Sequence, residues 1–530
     1  MNKYNHALIH FLFALSAICI TTFSNAQTDP QTVGVFQNSE SSFNGYTLIT
    51  ASGNEYTYLI DNCGFEINTW ESSWTAGMMS YLLNDGSLLR CGELPSSIFL
   101  AGGVGGVIEK HSWEGDQTWS YTLANDTLHL HHDVEELPNG NILAIAWKLN
   151  SNEDAISKGR LPELSATNVW STYILEIEPT YPEGGNIVWS WDAWDHLVQN
   201  THDSIPNYGI PSEYPRKIDV NYAAEGGSAY SARDWLHSNS IDYNSNLDQI
   251  IVSIRGFNEL WIINHNTTTS EAVGEAGDLM YRWGNPAAYG RGDVLDQTFF
   301  QQHDCQWIEG GLPFEGEVLI YNNGNNRPEG YYSTVNQIQL PEMEQGQYPI
   351  TTLPSDTFLP EEYTWSFPDT LDSEFFSQNM SGAQRLPNGN TLICEGASGH
   401  IFEVDSNKEL VWEYINPINT FGSTQQGNAT FANSVFRSER YAPDCTALQG
   451  RDLSPSVPLE LNPYPSDCII YSGEPCLGDF DSNGIITIAD VLNVLGEFGC
   501  LLDCEYDLDS DGFISINDFL ILLQLLGSTC

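Results

Sequence analysis

Five residues stand out for the chemistry they could share. His303 sits in FFQQHDCQW (299–307), between an aromatic pair and a tryptophan. His131 and His132 open HHDVEELPNGN, His237 lies in DWLHSNSIDYN, and Arg255 follows inside the apolar run IIVSIRGFNELWII. In a chain with 18 Lys+Arg against 70 Asp+Glu, a cation within an apolar run calls for a reason. A single histidine is most often a hydrogen-bonded filler, and His6, His10, His111, His202, His265 and His400 are read that way. Three imidazoles on one axis would instead suit zinc or copper, or acid–base and covalent chemistry without a metal. Arg255 weighs against the metal, because a guanidinium beside a divalent cation costs electrostatic energy. Its planar fork fits a bidentate oxyanion. The expected site is therefore metal-free, histidine-based and built for an anion.

Those residues need a scaffold, and the chain supplies a repeat. NGYTLIT at Asn44, NDGSLLR at Asn84, LPNGNILAIAW at Leu137, NSNLDQIIVS at Asn244, GGLPFEGEVLIYNN at Gly310 and LPNGNTLICEG at Leu386 are variants of one turn-then-strand unit. A further strand pair follows most of them, acidic and tryptophan-bearing: YILEIEP with NIVWSWDAW, HIFEVDS with ELVWEY, VIEKHSW with DQTWSYTL, ELWIINHNT with LMYRWGNP. Six units of this kind predict an all-β, six-bladed propeller over residues 27–441. Met78-Met79, His131-His132, His237, His303 and Met380-Ser381 fall at one phase of the unit, shortly before its turn, which in a propeller faces the central channel. The third unit is expected to carry a long insertion, Ala146 to Leu236, forming loops on the functional face.

The blocks HHDVEELPNGN, DWLHSNSIDYNSNLDQIIVSIRG and QQHDCQWIEGG with LIYNNGNN resemble those of the bacterial arylsulfate sulfotransferases, and the similarity spans most of Gly45 to Tyr441. That resemblance implies an exported six-bladed propeller that moves a sulfuryl group from an aryl sulfate to a phenol with no nucleotide donor. It implies that His303 is transiently sulfated, with His132, His237 and Arg255 completing the catalytic set; His131 is an alternative to His132. A propeller that only binds glycans or proteins through its loops is the competing reading, and so is a metal-dependent hydrolase or lyase.

The remaining features bound the class. Lys3, the apolar stretch Ala7 to Ile20 and Ser24-Asn25-Ala26 read as a secretory signal over residues 1–26, hence a secreted or periplasmic product. No later segment approaches the ~20 apolar residues of a membrane span. A net charge of −52 argues against nucleic-acid phosphates as partner. Of 11 cysteines, Cys19 belongs to the signal, and the even remainder suits disulfides. Residues 442–475, rich in Pro and Ser, read as a linker or closing strap.

From 476 to 530 the texture changes again. DFDSNGIITIAD and DLDSDGFISIND place oxygen donors at loop positions 1, 3, 5, 7, 9 and 12 with Gly at 6, the array of a calcium loop. The ligands would be Asp479, Asp481, Asn483, Ile485 (carbonyl), Thr487 and Asp490 in the first loop. In the second they would be Asp507, Asp509, Asp511, Phe513 (carbonyl), Ser515 and Asp518. Each loop leads into one apolar helix, VLNVLGEF or FLILLQLL, and Cys476, Cys500, Cys504 and Cys530 bracket the units. This resembles a type I dockerin, which implies two calcium ions and a cohesin-like partner.

Overall fold

The computed structural model describes residues 30–471 except 165–166, 224–232, 351–356, 370–373 and 466–467, and beyond them 480, 486, 488–500, 506, 508 and 513–526. The expected signal segment and most of the expected calcium loops lie outside the described residues. Six antiparallel sheets form the blades of a propeller. Each repeated turn leads into the second strand of a blade: Tyr46–Thr50, Leu88–Glu93, Ile142–Asn150, Gln249–Ile254, Val318–Asn322 and Thr391–Glu395. The glycines of these turns, Gly86, Gly140 and Gly389, take positive φ. The second strands are apolar almost without alternation because neighbouring blades cover both faces; Gln249–Ile254 and Val318–Asn322 are buried along their whole length.

The tryptophans of the outer strands explain themselves as blade-to-blade locks. Trp70 of blade 1 donates its indole N–H to Ser112 O of blade 2 at 2.9 Å, and Trp119 of blade 2 to Gly184 O of blade 3 at 2.8 Å. Trp283 of blade 4 donates to Pro360 O beside blade 5 at 2.9 Å, and Trp412 of blade 6 to Asn62 O of blade 1 at 2.8 Å. Each buried ring finds a partner for its one polar atom in the neighbouring blade.

The innermost strands are Glu439–Tyr441, Ala76–Leu82, Leu128–Glu136, Ser238–Asn244, His303–Trp307 and Gly382–Arg385, for blades 1 to 6. They do not pair with one another, so backbone N–H groups facing the channel need other acceptors. Carboxylates supply them across blades: Asp133 Oδ2 accepts from Ile241 N at 3.0 Å, Asp242 Oδ2 from Trp307 N at 2.7 Å, and Asp304 Oδ2 from Ala383 N at 2.8 Å. Near their starts the inner strands are bulged, with register shifts at Ala76/Ser80, opposite Ala144/Ala146, at Ser238/Ser240 and at His303/Cys305. Met78, His132, His237, Gln301, Asp304, Met380 and Ser381 have positive φ there. Such bulges re-aim side chains, and here they turn them toward the channel mouth.

The ring is closed by both ends of its own chain. Gly34–Asn38 adds a fifth, outermost strand to blade 6, and Glu439–Tyr441 supplies the innermost strand of blade 1. The chain then crosses blade 1, where Ser456 N donates to Glu66 O at 2.8 Å and Glu66 N to Val457 O at 3.0 Å, and is joined back by the Cys63–Cys468 disulfide. Cys91, Cys305, Cys394 and Cys445 are free; the first three occupy buried strand positions, so the even cysteine count did not translate into pairing there. The stretch from Ala146 to Leu236 is not one insertion. It contains the third and fourth strands of blade 3, Val169–Pro179 and Gly185–Asp192, and the true excursions are the loop around helix Asn152–Ser157 and the segment after Asp192. Among the described residues no helix is long and apolar enough to cross a membrane.

Candidate active site

Where the bulged strands begin, a cavity of about 1330 Å³ opens at one end of the channel, and all six blades reach it through Phe436, Met78, His132, His237, His303 and Met380. The blade 3 excursions add Arg160, Glu163, Leu164 and Tyr222 to its wall. His303 is 3% exposed. Its Nδ1 lies 2.7 Å from Asn323 Oδ1, and Met380 N–H points at Nε2 from 3.3 Å. Burial, reinforced by the Arg255 charge, holds this imidazole well below the usual histidine range, so it is neutral near pH 7.

His237 is set differently. Its Nδ1–H donates to Asp234 Oδ2, and Asp234 is fixed through Oδ1 by the Trp147 indole N–H at 2.9 Å. His132 meets His237 edge-on with ring centroids 4.9 Å apart. The structure separates the two adjacent histidines: His132 lines the cavity, whereas His131 stands behind it, stacked on Trp147 at 4.2 Å and bonded Nδ1 to Nδ1 with His132 at 2.7 Å. Burial first, then the neighbouring His237, holds both imidazoles well below the usual range. Gly103 makes room for the His132 ring, since a Cβ at that position would lie 2.0 Å from its Cε1 and Nε2. Arg255 Nη2 donates to Gln301 Oε1 at 2.6 Å, and Gln301 is held by its own N–H on Asn258 Oδ1 at 2.7 Å. Among the described residues no carboxylate forms an ion pair with Arg255, whose burial lowers its pKa while Asp234 opposes that. The four residues expected to act together thus share one cavity, and sequence reasoning missed Asp234, Asn323 and Gly103 around them.

One level deeper the charges are paired. Arg437 bonds Asp304 through Nη1 and Asp133 through Nη2, the latter at 3.0 Å, and the Tyr81 hydroxyl bridges to Asp133 Oδ1 at 2.8 Å. Asp133 and Asp304 each follow a site histidine, so this clasp holds the backs of the strands that present His132 and His303.

In the C-terminal segment, Asp490, Phe513, Ser515 and Asp518 are described; Asp479, Asp481, Asn483, Ile485, Thr487, Asp507, Asp509 and Asp511 lie outside the described residues. Asp490 and Asp518, at position 12 of each loop, are 0% exposed. Each accepts from the N–H of position 2, Phe480 at 2.7 Å and Leu508 at 2.8 Å. Residues 476–530 contain no Lys, Arg or His. Ser515 and Asp518 form a capping box on helix Ile516–Leu525. Cys500 is disulfide-bonded, and Cys476, Cys504 and Cys530 lie outside the described residues.

Two solved structures are similar to the chain at low sequence identity. A protein of unknown function from Bacteroides caccae matches with 11% identity over 70% of this chain and 93% of its own, at a TM-score of 0.38. The virginiamycin B lyase of Staphylococcus aureus matches with 12% identity over 72% and 88%, at 0.32. No curated protein matches the chain. The family model of the arylsulfotransferases (ASST) does match, over residues 33–434, a span that holds every blade residue of the histidine and arginine cluster. The chain is therefore a member of the arylsulfotransferase family.

Proposed function

We propose that this protein is an exported aryl sulfotransferase that takes a sulfuryl group from an aryl sulfate onto His303 and hands it to a phenol, with no nucleotide donor. The observation that carries this reading is the convergence of a neutral, buried His303 with Arg255, His132 and His237 on one cavity. In the first half-reaction His303 Nε2 bonds sulfur as the S–O(aryl) bond breaks. The electron pair leaves on the phenolate oxygen, which takes a proton from His237 Nε2. In the second, the acceptor hydroxyl returns a proton to His237, its oxygen bonds sulfur, and the N–S pair returns to Nε2. Arg255 and His132 hold the sulfuryl oxygens while charge redistributes, as donors do in related transfers through loose transition states. Walls from the blade 3 excursions, Leu164 and Tyr222 among them, form the acceptor side.

In this reading residues 1–26 are the export signal, 27–441 the propeller, 442–475 the closing segment and 476–530 a dockerin-like calcium module. Asp479, Asp481, Asn483, Ile485, Thr487 and Asp490, and their counterparts Asp507 to Asp518, would hold one calcium ion each, which would neutralise the buried acids and fix the loops. Its helices leave Ile488, Leu492, Leu495 and Ile516, Leu520, Leu523 exposed at matching spacings, two similar apolar stripes suited to a cohesin-like partner.

Incubation with 4-nitrophenyl sulfate should give a nitrophenolate burst and a mass gain of one sulfuryl group on His303, with ping-pong kinetics once a phenol is added. Loss of both in His303→Ala is expected; a parent protein that shows neither burst nor transfer with several aryl sulfates overturns the enzymatic reading. Calorimetry on the full chain should find two calcium sites, one removed by Asp490→Ala and the other by Asp518→Ala.

A further inference from the structure

The two working imidazoles carry different partners on Nδ1, an amide for His303 and a carboxylate for His237. Resting on the function proposed above, we propose that Asn323 is a positioning residue that assigns the attack to His303 Nε2 and keeps the sulfo-intermediate transferable.

Asn323 is fully buried at the end of Val318–Asn322, and its amide cannot turn over. Its Nδ2 donates to Ser377 O at 2.9 Å and Met380 O at 3.0 Å, so a flipped amide would set its oxygen against two carbonyl oxygens and its NH₂ against His303. Oδ1 must therefore face His303 Nδ1, and an oxygen there can only accept. The proton of the neutral ring is on Nδ1, and the lone pair is on Nε2, the nitrogen that Met380 N–H already faces. The other tautomer would oppose two donors at Nε2 and two lone pairs at Nδ1.

The chemistry of the partner matters as much as its position. When Nε2 bonds sulfur, the ring keeps its Nδ1 proton and becomes an imidazolium, so a neutral imidazole leaves in the second half-reaction. An amide accepts that proton's hydrogen bond without taking the proton. A carboxylate would draw it off, leave a neutral N-sulfo ring and strengthen the N–S bond against transfer. At His237 the carboxylate is appropriate, because that ring must become cationic when it takes the acceptor's proton. The titratable or charged groups facing His303 are Arg255 and His237 of blade 4 and His132 of blade 3, all basic, so an acid at 323 would be the first among the described residues to touch the ring.

The test is Asn323→Asp and Asn323→Leu in the full chain. In Asn323→Asp the acid limb of the burst should move up by about one pH unit or more, and transfer from the sulfo-enzyme to phenol should slow by about tenfold or more relative to the burst. In Asn323→Leu the burst should fall on the order of 10² to 10⁴-fold, as when a histidine loses its tautomer. Nitrogen-15 spectra of the parent should show His303 protonated at Nδ1 before any sulfate ester is added, and a tautomer mixture in Asn323→Leu. That spectrum stands apart from sulfur chemistry, so a parent with no burst but the Nδ1–H tautomer would sink the proposed reaction and leave the role of Asn323 in the tautomer supported. A parent ring protonated at Nε2, or an Asn323→Asp enzyme whose pH profile and transfer rate superimpose on the parent's, overturns the proposal. Should Asn323→Leu fail to fold, Asn323→Asp decides alone.

Discussion

Arg255, half-buried, and Arg437, buried, lie one level apart in the channel and differ in what answers their charge. Arg437 is held by Asp133 and Asp304, whose charges outweigh the burial that opposes its ionisation and raise its pKa well above the usual arginine range. Arg255 has the Gln301 amide, and burial lowers its pKa. A guanidinium paired with a carboxylate on each fork has its charge already answered; one held by a single neutral oxygen keeps its charge and most of its donors for an anion. The same residue type is thus a rivet in the lower layer and a receptor in the upper one.

Removing the rivet should have the largest effect. Arg437→Met leaves Asp133 and Asp304 buried without a counter-charge, and urea unfolding should show a loss of about 3–5 kcal/mol. A loss below about 1 kcal/mol would mean that the lower layer is not what holds the strands. Arg255→Met should invert the pattern, with stability within about 1 kcal/mol of the parent while the aryl sulfate burst slows by about 10² to 10³-fold, read by stopped flow. Equal damage to stability and burst in both variants would erase the distinction.

The far end of the channel sharpens it further. Glu439 has its carboxyl pKa pushed from 4.5 up to about 8, chiefly by burial, with Arg437 opposing. The folded protein therefore holds a proton there that the unfolded chain gives up above the ordinary carboxyl value, so this group costs stability progressively as pH rises from 4.5 toward 8. Glu439→Gln should match the parent near the lower pH and exceed it increasingly upward, on the order of 1 kcal/mol per pH unit. A difference independent of pH would contradict this. The smallest expected effect lies outside both layers: Trp119→Phe removes the N–H that reaches Gly184 O and should cost about 1 kcal/mol without altering the burst.

The sequence disclosed what repeats and concealed what happens once. Turn-then-strand units and paired tryptophans recur because every blade meets the same packing demand, so the propeller was legible, and so was the shared phase of His132, His237 and His303. Asn323 stands in YNNGNN, where asparagine and glycine read as turn formers, and nothing local marks one amide as the partner of a histidine 20 residues earlier. Asp234 and Arg437 are likewise defined by partners 87 and up to 356 positions away in the chain. The extent of the blade 3 excursions was overestimated because two strands of that blade, Val169–Pro179 and Gly185–Asp192, were counted within the insertion. Cys91, Cys305 and Cys394 counted toward disulfides by number, although each sits within a strand flanked by covering blades.

The seam of the ring sets an order of events in biosynthesis. Blade 1 is one of the first sheets to leave the ribosome, yet the strand that lines its share of the channel, Glu439–Tyr441, is made only after the other five blades. Until then Tyr46–Thr50 presents an open edge to the growing chain, and neither Phe436 nor Arg437 exists to complete the cavity or to clasp the strands behind His132 and His303. A nascent chain halted before that strand would therefore hold all four histidine and arginine groups without the wall and the clasp that complete their cavity, so the site is finished only when the last strand of the ring has been made.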